Sequence, residues 1–138
     1  MAKDPIEALR WEKRIVVYQL ESESAREAAR ARWLEWREDF EERDLVWVNV
    51  GKPELSIADG VDLRREQKDE WRRRLAFGEK SGASVEREGA SEFVLIGKDG
   101  GTKDRQMGEL DLPEFFALID TMPMRLREMR FQRETEAR

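Results

Sequence analysis

Ser22-Glu23-Ser24 stands where an apolar run ending near Leu20 gives way to a helical pattern. A serine placed there can attack a substrate if a neighbouring base takes its proton. The chain contains no histidine and no cysteine. The base would therefore be a lysine, a glutamate or water. A serine ahead of a helix is also the commonest N-cap, its hydroxyl accepting a free backbone N–H. Capping is the favoured reading, and no catalytic residue is assigned.

Lys98, Asp99, Arg125 and Glu128 form a second constellation. If the fold brings them together, they make a polar binding site for an anionic ligand or a partner. The bland reading is structural. Lys98 and Asp99 then serve a hairpin turn, while Arg125 and Glu128 pair along the last helix.

A third feature is the run Arg64-Arg65, Lys68 and Arg72-Arg73-Arg74 around Trp71. Basic residues with an aromatic suit nucleic acid or a membrane headgroup layer. Glu66, Asp69 and Glu70 interleave at pairing distance, so a solvated, salt-bridged face is favoured and nucleic acid is not expected as a partner.

Composition narrows the chemistry further. Without cysteine or histidine there is no disulfide, thiol redox, cysteine nucleophile or histidine base, and most zinc sites are excluded. No carboxylate spacing demands a metal, and no cofactor is implied. The 138 residues suffice for one domain with its own core. Charged residues make up 41%, with 26 Lys+Arg against 31 Asp+Glu and a net charge of −5. That balance offers no whole-molecule attraction to nucleic acid. No apolar run reaches transmembrane length. Met1 to Pro5 leads into a mixed polar segment without the apolar core of a signal peptide. The chain as given reads as cytoplasmic, or as periplasmic or exported if a signal was removed upstream.

The elements that must position these residues follow from periodicity. Ile15-Val16-Val17-Tyr18 is the run of a buried strand over about 14–20. Ser22 or Ser24 then caps a helix to about Arg43, with Ala25, Ala29, Trp33, Trp36 and Phe40 on one stripe. Leu45 to Val50 is a second buried strand, joined to the first by a right-handed parallel crossover. Asp59 or Asp62 can cap a helix over 62–76 with a thin apolar edge of Leu63, Trp71 and Leu75. Gly78 to Ser91 reads as a flexible polar loop. Phe93 to Ile96 and Thr102 to Met107 read as a hairpin across Lys98-Asp99-Gly100-Gly101, the latter strand a charged edge. Asp-Gly at the centre of such a turn predicts positive φ at both positions.

Asp111 caps the last core helix, with Pro113 in its first turn and Leu112, Phe115, Phe116 and Ile119 on its buried face. Pro123 must kink or restart that helix, with Asp120 or Thr121 as the new cap. The restarted helix runs to Met129. Met122, Leu126 and Met129 then face the core or a second copy, as in a homodimer. Phe131 to Arg138 reads as a fraying polar tail beyond a single domain over 5–130. Of the five tryptophans, Trp47 is expected to pack with Trp33 or Trp36, while Trp11 and Trp71 are expected to be partly exposed.

The order βαβαββα is that of a thioredoxin-like α/β domain, with a four-stranded mixed sheet flanked by helices. Several blocks carry a resemblance that agrees with it. They are Leu9-Arg10-Trp11, Glu42-Arg43-Asp44-Leu45, Leu95 to Gly101, and Leu118 to Arg125 with Glu128-Met129. Together they resemble the family named domain of unknown function 4174, which also occurs in matrix proteins with sushi repeats. The resemblance spans about residues 5–130. It implies a thioredoxin- or peroxiredoxin-like fold and no established catalytic residues. In redox-active members of that fold, a cysteine pair sits where this chain has Leu20 to Ser24, and a cis-proline precedes the third strand. Residues 78–92 contain no proline. The expectation is a non-catalytic binding or interaction domain for a protein partner or for itself. The alternatives are a degenerate peroxiredoxin-like oxidoreductase or oxidant-response protein, and a nucleic-acid or membrane-surface binder through Arg64–Arg74.

Overall fold

The computed structural model describes residues 4–58, 60–78 and 91–136. Asp59 and most of the Gly78–Ser91 stretch lie outside the described residues. β1 (Arg14–Gln19) and β2 (Leu45–Asn49) run parallel, with Val16 opposite Trp47. β3 (Glu92–Ile96) pairs antiparallel with the other side of β1, Val17 opposite Val94. β4 (Thr102–Met107) is antiparallel to β3 and completes the order β2-β1-β3-β4. This is the thioredoxin-like sheet expected from the element order.

The strand sequences explain the layering. Every residue of β1 and β3 is buried, as suits central strands covered on both faces, whereas β4 is mostly exposed. Alternation sends Val16, Tyr18, Trp47, Phe93 and Leu95 to one face, where Phe40, Phe115, Phe116 and Ile119 cover them. Ile15, Val17, Val48, Val94 and Ile96 point the other way, under Leu63, Trp71 and Leu75. Full burial of each large apolar side chain contributes about 1.5–3 kcal/mol.

α1 (Glu23–Glu35) begins at Ser22, whose hydroxyl accepts from Ala25 N at 3.1 Å. The single helix expected to reach Arg43 is broken at Trp36 (φ −109°, ψ 19°), and α2 (Arg37–Glu42) follows. The break lets two turns of aromatics reach the core. Trp36 stands edge-on to Phe116 at 6.0 Å, and Phe40 lies 5.4 Å from Trp33 and 5.5 Å from Trp47. The expected contact between Trp33 and Trp47 is thus relayed through Phe40.

α3 (Arg65–Arg74) starts later than expected and without an aspartate cap. The Gln67 side chain instead accepts from Arg64 N at 2.8 Å. Trp71 is only 5% exposed, contrary to expectation. Its indole N–H donates to Asp4 Oδ2 at 2.8 Å, and Arg74 lies 3.9 Å over the ring. A distant acid and a stacked arginine let the indole be buried with its donor satisfied.

The hairpin turn differs in type from the one expected. Gly100 N donates to Gly97 O at 3.0 Å, and Gly97 N donates to Gly101 O at 2.9 Å. Only Gly100 has positive φ (+85°), and Asp99 does not. The loop is therefore a three-residue connection closed by a left-handed glycine, not a two-residue turn with two such positions. The pairing also shifts register between Leu95 and Ile96.

α4 (Leu112–Ile119) is capped by Asp111, which accepts from Glu114 N at 3.1 Å. α5 (Pro123–Glu136) restarts at Pro123 and continues past Met129, through Phe131, as far as Glu136. Neither Asp120 nor Thr121 caps it. The Asp120 carboxylate is held by Arg43 and Arg125, and the Thr121 hydroxyl donates to Leu118 O. Leu126 does not face the core either, being 47% exposed. The side chain that α5 buries one position earlier is Arg125.

Candidate functional site

At the place of a redox centre, the end of β1 and the start of α1, the groups are committed to structure. Ser22 caps the helix, and Glu23 pairs with Arg26 at 3.1 Å. Arg26 Nε donates to Ser56 O at 2.9 Å. Tyr18 Oη accepts from Ile57 N at 3.0 Å. Burial holds the Tyr18 phenol above its ordinary value, against the opposing bonds from Ser56 and the loop backbone.

Charged side chains concentrate at the opposite end of the sheet. Arg14 opens β1 and is 0% exposed. Its guanidinium donates to both Glu128 oxygens, at 3.1 and 3.2 Å, and to Arg43 O at 2.9 Å. Lys98, 8% exposed, donates to Glu128 Oε2 at 2.8 Å and to Asp44 Oδ2 at 2.9 Å. Arg125, 2% exposed, donates to Asp120 at 3.1 Å and to Glu42 at 3.1 Å, and lies 3.8 Å from Glu128. Arg43 grips Asp120 with two nitrogens, at 3.0 and 2.8 Å, and lies 4.5 Å over the Phe116 ring.

Lys98, Arg125 and Glu128 therefore meet in one cluster, as a convergent site requires. Asp99 does not join them. Its carboxylate accepts from Lys103 and from Gly101 N, which hold it below the usual carboxylate range. Burial pushes Glu128 up, but the bonds from Arg14 and Lys98 outweigh it and leave the group low. Asp120 follows the same balance under Arg43 and Arg125, and Arg125 is raised in return. Chemically, the cluster is a closed lock in which each cation faces a carboxylate. Sequence reasoning missed Arg14, Arg43, Asp44 and Asp120 as members. The signal was present in part, since Glu42-Arg43-Asp44-Leu45 and Leu118 to Arg125 were already singled out as blocks.

The α3 basic run gives no such convergence. Arg72 pairs with Asp69, Arg74 with Glu7, and Lys68 donates to Gly51 O. With Trp71 buried, the aromatic that would stack on a base or enter a headgroup layer is withdrawn.

Beside the lock lies an open groove of about 280 Å³. Trp11, Met122, Pro123 and Met124 supply its apolar wall, with Lys98, Asp99, Lys103 and Arg127 among the polar residues. Trp11 is 58% exposed and has φ +75°. Its N–H donates to Lys98 O, which ties this strained residue to the hairpin. Arg10 lies 5.0 Å over the Trp11 ring. Arg127 lines the groove and is exposed, whereas the charge of Arg10 also helps to lower Asp99.

No helix among the described residues is long and apolar enough to cross a membrane. No curated protein matches the chain in sequence. Among solved structures, the reduced 2-Cys peroxiredoxin of Plasmodium vivax is similar at 15% identity and a TM-score of 0.48, over 83% of this chain and 79% of that one. The model of the domain of unknown function DUF4174 matches residues 5–128, the span that holds every residue of the lock from Arg14 to Glu128, and the chain belongs to that family.

Proposed function

We propose that this domain is a non-catalytic interaction module that seats its ligand in the groove between Trp11 and the start of α5. The observation that carries the reading is Trp11 itself. A bulky residue with positive φ is held at a cost of about 1–3 kcal/mol. It is also a large apolar side chain left mostly in water, so it returns little burial energy. Strain without a packing gain points to a role in binding. The groove offers an apolar wall beside the exposed guanidinium of Arg127, which suits an amphiphilic anion.

Oxidoreductase chemistry is the weaker reading, because the helix start that would stabilise a thiolate is occupied by a serine cap and the chain holds no thiol. Self-association through Met122, Leu126 and Met129 is also weaker. Met122 packs against the core, and of the three only Leu126 is exposed.

Replacement of Trp11 by glycine tests the role of this residue. Glycine adopts positive φ freely, so the melting temperature is expected to hold or rise. The same variant is expected to lose most of the fluorescence that anilinonaphthalene sulfonate, an apolar anion, gains on the wild-type protein. A fall of several degrees in melting temperature, or unchanged dye binding, would make Trp11 a structural residue and remove the groove as the ligand seat.

A further inference from the structure

β2 is an outer strand of the sheet. Beside it lies a cavity of about 490 Å³, lined among others by Trp47 and Asn49 of β2 and by Ser56, Asp62 and Lys68. That volume falls within the roughly 300–1,000 Å³ of small-molecule sites. Trp47 is buried, and its indole N–H has no acceptor among the described residues. Folded proteins satisfy nearly all buried donors, as this one does for Trp71 through Asp4. Arg14 Nε, in the lock, and Trp33 Nε1 share the lack of a partner, but neither residue lines this cavity. The other wall groups are largely committed. Ser56 Oγ donates to Ala58 O, and the Asn49 amide bonds Lys52 O and Gly51 N. Asp62 is exposed and is the one carboxylate among the described lining residues.

Pro53, Leu63 and Lys68 also line a neighbouring recess of about 350 Å³. Its charged residues are Lys52, Arg65, Lys68 and Arg72, with no carboxylate among the described lining residues. Asp69 holds Arg72, and Lys68 donates to the Gly51 carbonyl at 3.2 Å. Lys52 and Arg65 are exposed, and neither they nor Lys68 form an ion pair among the described residues. An unpartnered donor in the larger recess and three unpaired cations in the smaller one describe the two ends of an occupant.

We infer that the two recesses together bind a nucleoside monophosphate. Its phosphate meets Lys52, Arg65 and Lys68. A carbonyl of its base accepts the Trp47 N–H, and its ribose hydroxyls donate to Asp62. Inorganic phosphate would satisfy the cations and leave the indole donor unpaired, and a nucleoside without phosphate would do the reverse. The site is separate from the Trp11 groove, and neither reading depends on the other.

The probe is uridine monophosphate, titrated into the isotope-labelled full chain while its backbone and indole N–H signals are followed by NMR. Trp47→Phe identifies the Trp47 indole signal by its loss. In the wild type that signal is expected to move downfield as the nucleotide saturates the site, together with the backbone amides of Lys52, Arg65 and Lys68, while the Trp71 indole signal stays. Uridine or inorganic phosphate at the same concentration should leave the Trp47 indole signal in place. Binding should weaken as salt rises. Lys52→Glu with Arg65→Glu should weaken it by about tenfold or more, the factor that lost charge-assisted contacts supply. Both side chains are exposed, so this double variant should keep the wild-type melting temperature, which a parallel melt checks. Trp11→Gly should bind the nucleotide as the wild type does. Movement at Lys52 and Arg65 with the Trp47 indole signal unmoved would overturn the nucleoside assignment. Equal affinity in the double variant, or no movement at millimolar nucleotide, would overturn the site itself.

Discussion

Replacing Glu128 by alanine is expected to lower stability by about 3–5 kcal/mol, the cost of leaving buried charge uncompensated. Arg14 has no exposure and Lys98 very little, and Glu128 is the carboxylate that both of them share. Without it, among the described residues Arg14 keeps the Arg43 carbonyl as its acceptor, and Lys98 keeps Asp44. For a domain of this length the melting temperature should fall by on the order of ten degrees. Urea unfolding measures the change. Lys98→Met made together with Glu128→Ala should cost less than the sum of the two single changes, because the double variant no longer strands the lysine. Strict additivity would mean that the two groups do not interact.

Acid should undo the same lock. Glu128 and Asp120 both titrate lower in the folded chain than their ordinary values, because arginine and lysine hold their charged forms against the opposing effect of burial. A carboxylate with a depressed folded value stabilises the fold above its unfolded pKa. That contribution is lost as pH falls through the folded value. Stability should therefore be level from neutral pH down to about 5, then drop steeply below about 4. Guanidinium melts across this range measure it. In Asp120→Asn the fall should be shallower, since one depressed group has been removed. An identical acid slope in the variant would mean that Asp120 is not linked to folding.

The parts of the fold that were legible in the sequence are those set by neighbours in the chain. The β-branched run Ile15 to Val17 announces a central strand, Asp111 with Pro113 announces a helix start, and Asp99-Gly100 announces the hairpin. Each depends on a few adjacent residues whose conformational preferences agree. What was not legible depends on groups far apart in sequence. Trp71 is buried because Asp4 accepts its N–H, a pairing across 67 positions. Asp120 has the look of a cap, yet Arg43, 77 positions away, claims its carboxylate. The break at Trp36 follows from where Phe116 and Trp47 stand in the core, which no local pattern states. Of the four residues proposed as a site, Lys98, Arg125 and Glu128 meet because β3 ends and α5 begins at the same pole. Asp99, one residue beyond Lys98, turns outward with the hairpin.

If Arg14, Arg43, Asp44, Lys98, Asp120, Arg125 and Glu128 form one lock that seats α5 and so builds the Trp11 groove, α5 should loosen first when the lock is weakened. Amide hydrogen exchange of wild type against Glu128→Gln measures this residue by residue. The expected result is faster exchange across Pro123–Glu136 and at Trp11, with the β1 and β3 amides still protected. Unchanged protection in α5, or an equal loss through every strand, would contradict it.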